Sequence, residues 1–236
     1  MKQKNILVFS AHPDDHLTCA GTLMLLKEKG FKIHEVVATK GEQGPWREKE
    51  ASFEKTDLQE KRSEEISEAS KIIGIDSTSY LGLFDSRVEK NHETIDKIIE
   101  IIREKRPDFI FTLNSKDYHT DHSEVSKMVT VGVERASWDF MKEKGEPFKV
   151  PIFLFAEGFY FGRADVVVDI TDYVEKKEKV LAVYDSQINS AEKVLLQSMN
   201  SYRGFFCREE NLRQAEAFQV PENYPLNFNK LISLFN

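Results

Sequence analysis

The stretch Ile6–His16 most constrains what this chain can fold into. There an apolar run stops abruptly against two imidazoles and two adjacent carboxylates, Ala11-His12-Pro13-Asp14-Asp15-His16. Ile6 to Phe9 read as a short buried strand, preceded by the polar Lys2-Gln3-Lys4-Asn5. Pro13 removes a ladder donor and biases His12 towards an extended backbone. A helical pattern through Leu17, Leu23, Leu25 and Leu26 begins immediately afterwards. Ionisable groups therefore sit where a strand hands over to a helix, the edge at which open α/β sheets bind ligands.

The rest of the first 130 residues repeats that alternation. A helix over 17–29 closes at Gly30, and Phe31–Thr39 reads as a second strand with Ile33, Val36 and Val37 facing a core. A turn-rich loop from Lys40 to Arg47 leads towards a helix over Gln59–Ile73, ended by Gly74. Ser79–Leu83 is a third strand, and Glu93–Lys105 is a helix with Ile95, Ile98, Ile99 and Ile102 on one stripe. Pro107 ends that helix, Asp108–Leu113 is an apolar fourth strand, and Ser123–Ala136 is helical. Ile152–Ala156 and Val166–Ile170 add strands. A helix capped by Thr171 runs from Asp172 into the 190s, a break follows at Ser201–Gly204, and a short helix covers Glu209–Phe218. The pattern predicts one α/β domain over residues 1–236, with a Rossmann-like, mostly parallel sheet and helices on both faces. Its core spans about 4–198, and 199–236 form a C-terminal arm, irregular from Val220.

Composition excludes several classes. A formal charge of −7 lacks the basic face of a nucleic-acid binder. No apolar stretch approaches the roughly 18–20 residues of a membrane span, and Ile6–Phe9 is too short for a signal-peptide core. Cys19 and Cys207 are too few for a disulfide framework, which points to a reducing cytoplasm. No Gly-x-Gly-x-x-Gly follows the first strand, and no Gly-Lys-Ser/Thr follows Gly41-Glu42-Gln43-Gly44, so dinucleotide and phosphate loops are set aside.

Four of the six histidines lie in two loops after strands: His12 and His16 in the first, His119 and His122 in the loop after the fourth strand. Loops after neighbouring parallel strands meet at one sheet edge, bringing His12, Asp14 or Asp15, and His119 or His122 within reach of one another. Two imidazoles and a carboxylate with an open position form the ligand set of hydrolytic zinc sites. Such a site lowers the pKa of a water to about 7, and a second carboxylate can take its proton. The competing reading of Asp14-Asp15 is plain helix capping.

Ala11-His12-Pro13-Asp14-Asp15 together with Asp117-x-His119-x-Asp121-His122 closely resembles the PIG-L/LmbE-like family of zinc-dependent N-acetylglucosamine deacetylases. The likeness continues through Gly21-Thr22, Thr39-Lys40-Gly41-Glu42, Lys61-Arg62-x-x-Glu65, Leu81-Gly82 with Asp85, and Arg106-Pro107-Asp108. It extends to Val168-Asp169-Ile170-Thr171, Tyr184-x-Ser186-Gln187, and Arg203-Gly204 with Ala215-Glu216-Ala217-Phe218. The resemblance implies His12, Asp15 and His122 as metal ligands and Asp14 as general base. His119 would stabilise the oxyanion or protonate the leaving amine, and Asp121 would orient a histidine. Arg62 and Asp85 resemble positions that contact sugar hydroxyls. Zn²⁺ is the expected metal, with Fe²⁺ the alternative that the same ligand types suit. An amino-sugar substrate and assembly into a homo-oligomer, with the arm as a contact surface, are further implications.

One position departs from the pattern: the family's first motif usually ends in Glu, and here it ends in His16. A neutral His16 accepts a hydrogen bond as Glu would, which makes it a supporting residue; a fourth ligand is the other reading. Three functions follow. The first removes acetyl from an N-acetylated amino sugar; the second is a sugar- or metal-binding member with altered chemistry at His16; the third is an amidase for another N-acyl substrate. Specificity is expected in loops 41–57, 139–150 and 157–164, with Trp46, Phe159, Tyr160 and Phe161 at the pocket mouth.

Overall fold

The protein is described from a computed structural model covering residues 3–44, 55–158, 160–206 and 214–235. Five strands run parallel: β1 (Asn5–Ser10), β2 (Lys32–Val37), β3 (Ser77–Tyr80), β4 (Phe109–Leu113) and β5 (Ile152–Ala156). Strands β6 (Val166–Asp169) and β7 (Ala215–Gln219) complete a seven-stranded sheet of order β3-β2-β1-β4-β5-β7-β6. β7 is antiparallel to both β5 and β6.

Period-2 alternation in β1 explains why the sheet is covered on both faces. Ile6 and Val8 pack on one side with α1 (Ala20–Glu28), α2 (Lys55–Ile73) and α5 (Val174–Val183). Leu7 and Phe9 face the other side, against α3 (His92–Lys105) and α4 (Thr120–Ala136). Ile95, Ile98, Ile99 and Ile102 of α3 are buried as their spacing predicts; removing such a side chain to Ala costs about 2–5 kcal/mol. The Asn91 side chain caps this helix by accepting from the Thr94 N–H at 2.9 Å.

The chain winds outward from β1 through β2 to β3, then returns to lay β4 on the other side of β1. Strand order thus reverses between β1 and β4. The loops leaving these two strands diverge there and open a crevice, the position at which doubly wound sheets bind ligands. Phe9 opposite Thr112 sets the register, and the Thr112 hydroxyl donates to the Phe9 carbonyl at 2.9 Å.

Several expected elements differ. Asp14 and Asp15 cap no helix with their side chains; Asp15–Thr18 form a short 3₁₀ turn and α1 starts at Ala20. The third strand lies earlier, at Ser77–Tyr80, because Gly82 takes a positive φ of 77° just beyond it. The single helix expected from Asp172 is two, α5 and α6 (Ser190–Phe206). Asn189 starts the second by accepting from the Ala191 and Glu192 N–H groups, while Glu192 accepts from the Asn189 N–H at 2.7 Å. This reciprocal cap was readable as Asn-x-x-Glu. The break expected at Ser201–Gly204 lies inside α6, where Arg203 donates from Nε to Glu157 at 2.9 Å. The helix expected over Glu209–Phe218 is strand β7 from Ala215, residues 207–213 lying outside the described residues. Its helix-forming Ala, Glu and Gln are overridden by pairing between two strands. The arm thus enters the sheet before the irregular turn at 220–227 and a last helix, α7 (Phe228–Ser233).

Candidate active site

At the crevice the β1 loop folds back on itself. One oxygen of Asp15, Oδ2, accepts from the Ala11 and His12 N–H groups at 2.7 and 2.8 Å. The other, Oδ1, lies 3.1 Å from His122 Nε2 and 3.8 Å from His12 Nδ1, and the two ring nitrogens are 3.1 Å apart. Ligand atoms around a tetrahedral Zn²⁺ stand about 3.3 Å apart, so this triangle has the size the ion requires.

Each imidazole is held from behind by carboxylates. His12 Nε2 lies 3.2 Å from Asp85 Oδ1 and 3.3 Å from Asp121 Oδ2. His122 Nδ1 lies 3.3 Å from Asp117 Oδ1. With the outer nitrogens facing these carboxylates, Nδ1 of His12 and Nε2 of His122 are the ring atoms turned to the centre. Asp117 belongs to the expected motif but had no assigned role; its place beside the ligand-bearing loop was the available signal.

The charges point the same way. Burial lowers the pKa of His12, but the Asp121, Asp15 and Asp85 carboxylates outweigh it and hold the ring well above the ordinary value. Burial likewise disfavours charged His122, yet Asp15 and Asp117 raise it to about 9. Burial would raise Asp85, but His12 brings it down to about 2. The surrounding carboxylates thus favour positive charge at the centre, which a divalent cation would supply. The donor set fits a metal ion.

His119 starts α4, and its Nδ1 accepts from the Asp121 N–H at 3.3 Å. A neutral ring in that bond carries its proton on Nε2. Neutrality is favoured by burial and by His122 and His12, which lower its pKa. The ring stacks on His122 with centroids 4.6 Å apart; donor atoms of His12, His119 and His122 lie within 4.8 Å of one another, as do those of His12, Asp85 and Asp121. Asp14 stands at the cavity, its Oδ1 accepting from Arg62 at 2.8 Å, while Arg62 also donates to the Gly41 carbonyl. A Cβ on Gly41, whose φ is +68°, would run into that guanidinium, so the turn needs glycine.

His16 is fully buried, and both its ring nitrogens face groups other than His12, Asp15 and His122. Its Nδ1 lies 3.0 Å from both Glu35 oxygens, and its Nε2 lies 2.9 Å from the Tyr184 hydroxyl, which donates to the Pro13 carbonyl. The fourth-ligand reading does not describe this arrangement. Asp85 serves His12 and the Gln43 N–H, and Arg62 serves Asp14, although both line the cavity.

The cavity has a volume of about 340 Å³. Tyr160 and Phe161 do not line it, and Trp46 and Phe159 lie outside the described residues. Of the loops expected to shape it, 41–57 contributes Gln43 and Gly44, 157–164 contributes Gly158, and 139–150 contributes nothing among the described residues. That last loop instead wraps Arg103, whose guanidinium is held by the Phe140, Met141 and Gly145 carbonyls. The sequence reading missed the wall formed by Leu17, Ile188 and one side of α6.

Fold and site define a doubly wound α/β protein with a buried imidazole–carboxylate centre at its switch point. The family profile described as "PIG-L: GlcNAc-PI de-N-acetylase" matches residues 7–132, a span holding both histidine loops. The chain belongs to the PIG-L family. It is 34% identical over 128 residues to the uncharacterized deacetylase YaiS of Escherichia coli K12, covering 51% of this chain and 63% of YaiS. A 1D-myo-inositol 2-acetamido-2-deoxy-alpha-D-glucopyranoside deacetylase of Mycobacterium sp. strain KMS is 24% identical, over 79% of this chain and 75% of the relative. Among solved structures, N,N'-diacetylchitobiose deacetylase of Pyrococcus horikoshii superposes with TM-score 0.83 at 22% identity, over 96% of this chain and 88% of that one. The 4-carboxy-2-hydroxymuconate hydratase GalB of Pseudomonas putida does so at 0.82 and 22%, over 94% and 100%. Both show the shared fold alone. Among the described residues, no helix is long and apolar enough to cross a membrane.

Proposed function

We propose that this chain is a zinc-dependent N-deacetylase that removes the acetyl group from an N-acetylated amino sugar. The observation that carries the reading is the triangle of inward donor atoms on His12, Asp15 and His122, each backed by its own hydrogen bonds. Membership of a de-N-acetylase family and relatives named as deacetylases of acetamido sugars support it. When bound, the metal supplies Lewis acidity, polarising the amide carbonyl and acidifying a water.

The residues then divide the work. Asp14 takes the proton of the attacking water, its Oδ1 anchored by Arg62 so that the carboxylate cannot rotate freely. His119, with its proton on Nε2, donates to the oxyanion that develops as the carbonyl carbon becomes tetrahedral. The proton held by Asp14 passes to the departing nitrogen as the C–N bond breaks, giving acetate and a free amine. Asp121 and Asp85 orient His12, and Asp117 orients His122. Arg62 is on this reading a positioning residue for Asp14.

The test is acetate release from methyl N-acetylglucosaminide by zinc-loaded enzyme. Wild type should turn over, and Asp14→Asn should lose about 10²–10⁴-fold in kcat, the usual contribution of general acid–base catalysis. His122→Ala should lose bound zinc by elemental analysis. Full turnover in Asp14→Asn removes Asp14 from the mechanism. Since a hydratase shares the fold, absence of acetate with any N-acetyl sugar would sink the deacetylase reading itself.

A further inference from the structure

Glu192 is the one charged residue that α6 contributes to the cavity among the described residues. It sits in the first turn of the helix, and Leu195, Leu196 and Met199, at the spacing that aligns side chains on a helix, make the rest of that side apolar. One of its oxygens, Oε2, accepts from the Asn189 N–H at 2.7 Å, which fixes the carboxylate at the helix start. Among the described residues Oε1 accepts no hydrogen bond and no cation pairs with the group. Its hydrogen bonds run to Asn189 and not to the histidine centre, so the chemistry of the centre leaves it without a task.

A substrate that fills the cavity covers this carboxylate. Dehydrating a charge on an apolar wall is costly unless the incoming group brings a donor of its own. The rest of the cavity decides which donor gains most. Asp14, Asp15 and Asp85 line it too, and Asp117 and Asp121 stand behind the two imidazoles. Arg62 is the only lysine or arginine among the described lining residues, and it already donates to Asp14 and to the Gly41 carbonyl. Even with a divalent ion in the triangle, carboxylates outnumber the positive charges. A cationic group therefore gains at Glu192, whereas an anionic one meets a like charge with no free base to answer it.

We propose that the aglycone of the substrate carries a protonated amine, which donates to Glu192 Oε1 while the acetamido group lies at the His12–Asp15–His122 triangle. This rests on the deacetylase reading above and narrows its substrate class to N-acetyl amino sugars linked to a cation. Glu192 is the specificity-determining residue, and aglycones bearing a carboxylate or phosphate are refused.

Three glycosides of N-acetylglucosamine with aglycones of matched length test it, with zinc-loaded enzyme at neutral pH: propyl, 3-aminopropyl and 2-carboxyethyl. A hydrogen bond to a charged group is worth about tenfold or more, so kcat/KM for the aminopropyl glycoside should exceed that for the propyl glycoside by about tenfold, with the carboxyethyl glycoside slowest. Glu192→Gln keeps an amide oxygen for the Asn189 N–H and removes the charge. In that variant the aminopropyl-to-propyl ratio should fall towards one, a change of selectivity that a loosened helix start would not produce. Hydrolysis of the propyl glycoside with no aminopropyl advantage overturns the proposal and leaves the deacetylase reading standing. An advantage that survives Glu192→Gln overturns it too. If no glycoside is hydrolysed, the deacetylase reading fails, and calorimetric affinities of the same glycosides decide: equal affinities for aminopropyl and propyl overturn the charge selection, and an aminopropyl gain lost in Glu192→Gln supports it.

Discussion

His16 commits both ring nitrogens to neighbours outside the cavity, Glu35 on β2 and the Tyr184 hydroxyl beyond α5. Burial opposes its charge, but the Glu35 carboxylate prevails and raises its pKa above the ordinary value. This has a consequence for any attempt to restore the family's usual residue. His16→Glu would place two buried carboxylates against each other, where only one can ionise cheaply. We expect His16→Glu to lower thermal stability by about 3 kcal/mol or more and acetate release with it. His16→Gln, which keeps neutral hydrogen-bonding groups, should be far milder, and His16→Glu combined with Glu35→Gln should recover much of the loss. Melting curves and acetate assays on the three variants check this; a stable and more active His16→Glu would refute it. At this scale the two histidine-bearing loops after β1 and β4 were legible from the strand pattern, whereas the choice between Asp14 and Asp15 and between His119 and His122 came from the family resemblance. The partner of His16 was not legible, since Glu35 lies within a strand whose apolar neighbours signal only burial, and no local spacing links it to residue 16.

Among the elements, α1 has no capping side chain of its own. Its first N–H groups, on Gly21 and Thr22, donate to the Glu216 carboxylate of β7 at 2.9 and 2.7 Å, and Lys177 of α5 donates to the same group at 2.7 Å. Helix, strand and second helix are thus joined at one buried point. Removing one partner of such a pair strands the other charge, so Glu216→Ala should cost about 3–5 kcal/mol in urea unfolding. A loss below about 1 kcal/mol would show that the junction carries little. Glu65 of α2 ties that helix to the segment after α5, accepting from the Ser186 N–H at 3.1 Å and hydroxyl at 2.7 Å. Burial raises its pKa to about 7 against the pull of those bonds. Below the ordinary glutamate value both folded and unfolded chains hold the proton. Between there and about 7 the unfolded chain releases it and the folded chain keeps it, so this group's contribution to stability is lost as pH rises through that window. Glu65→Gln should flatten that part of the stability–pH curve; an unchanged slope would absolve Glu65. The helix starts at Asn91 and Asn189 carry local cap signals, although the second was read through as one continuous helix; the cap of α1 has no local signal, because its acceptor lies 195 residues away.

For the whole molecule, metal binding should register as stability. At about a hundred times its dissociation constant a ligand adds about 2.7 kcal/mol, which for a chain of this size shifts Tm by about 5–10 °C. Calorimetry with and without excess chelator should show that difference in wild type and lose it in Asp15→Ala; equal melting temperatures in wild type would argue against a metal that binds the folded state. The parallel half of the sheet was legible because strands and helices alternate strictly up to α4. The other half was not: β7 is composed of helix-forming residues and becomes a strand only because two strand edges await it.

That strand also fixes an order of assembly. β6 joins the sheet only through β7, which inserts between it and β5. The histidines and carboxylates of the centre lie between residues 12 and 122 and can gather while the later sheet is still open. On a ribosome, the first half would emerge with its reactive centre formed but with the edge of β5 bare. The chain would stay exposed to wrong pairing along that edge until more than sixty further residues had been made. Closing the sheet and fastening the start of α1 through Glu216 both wait on β7.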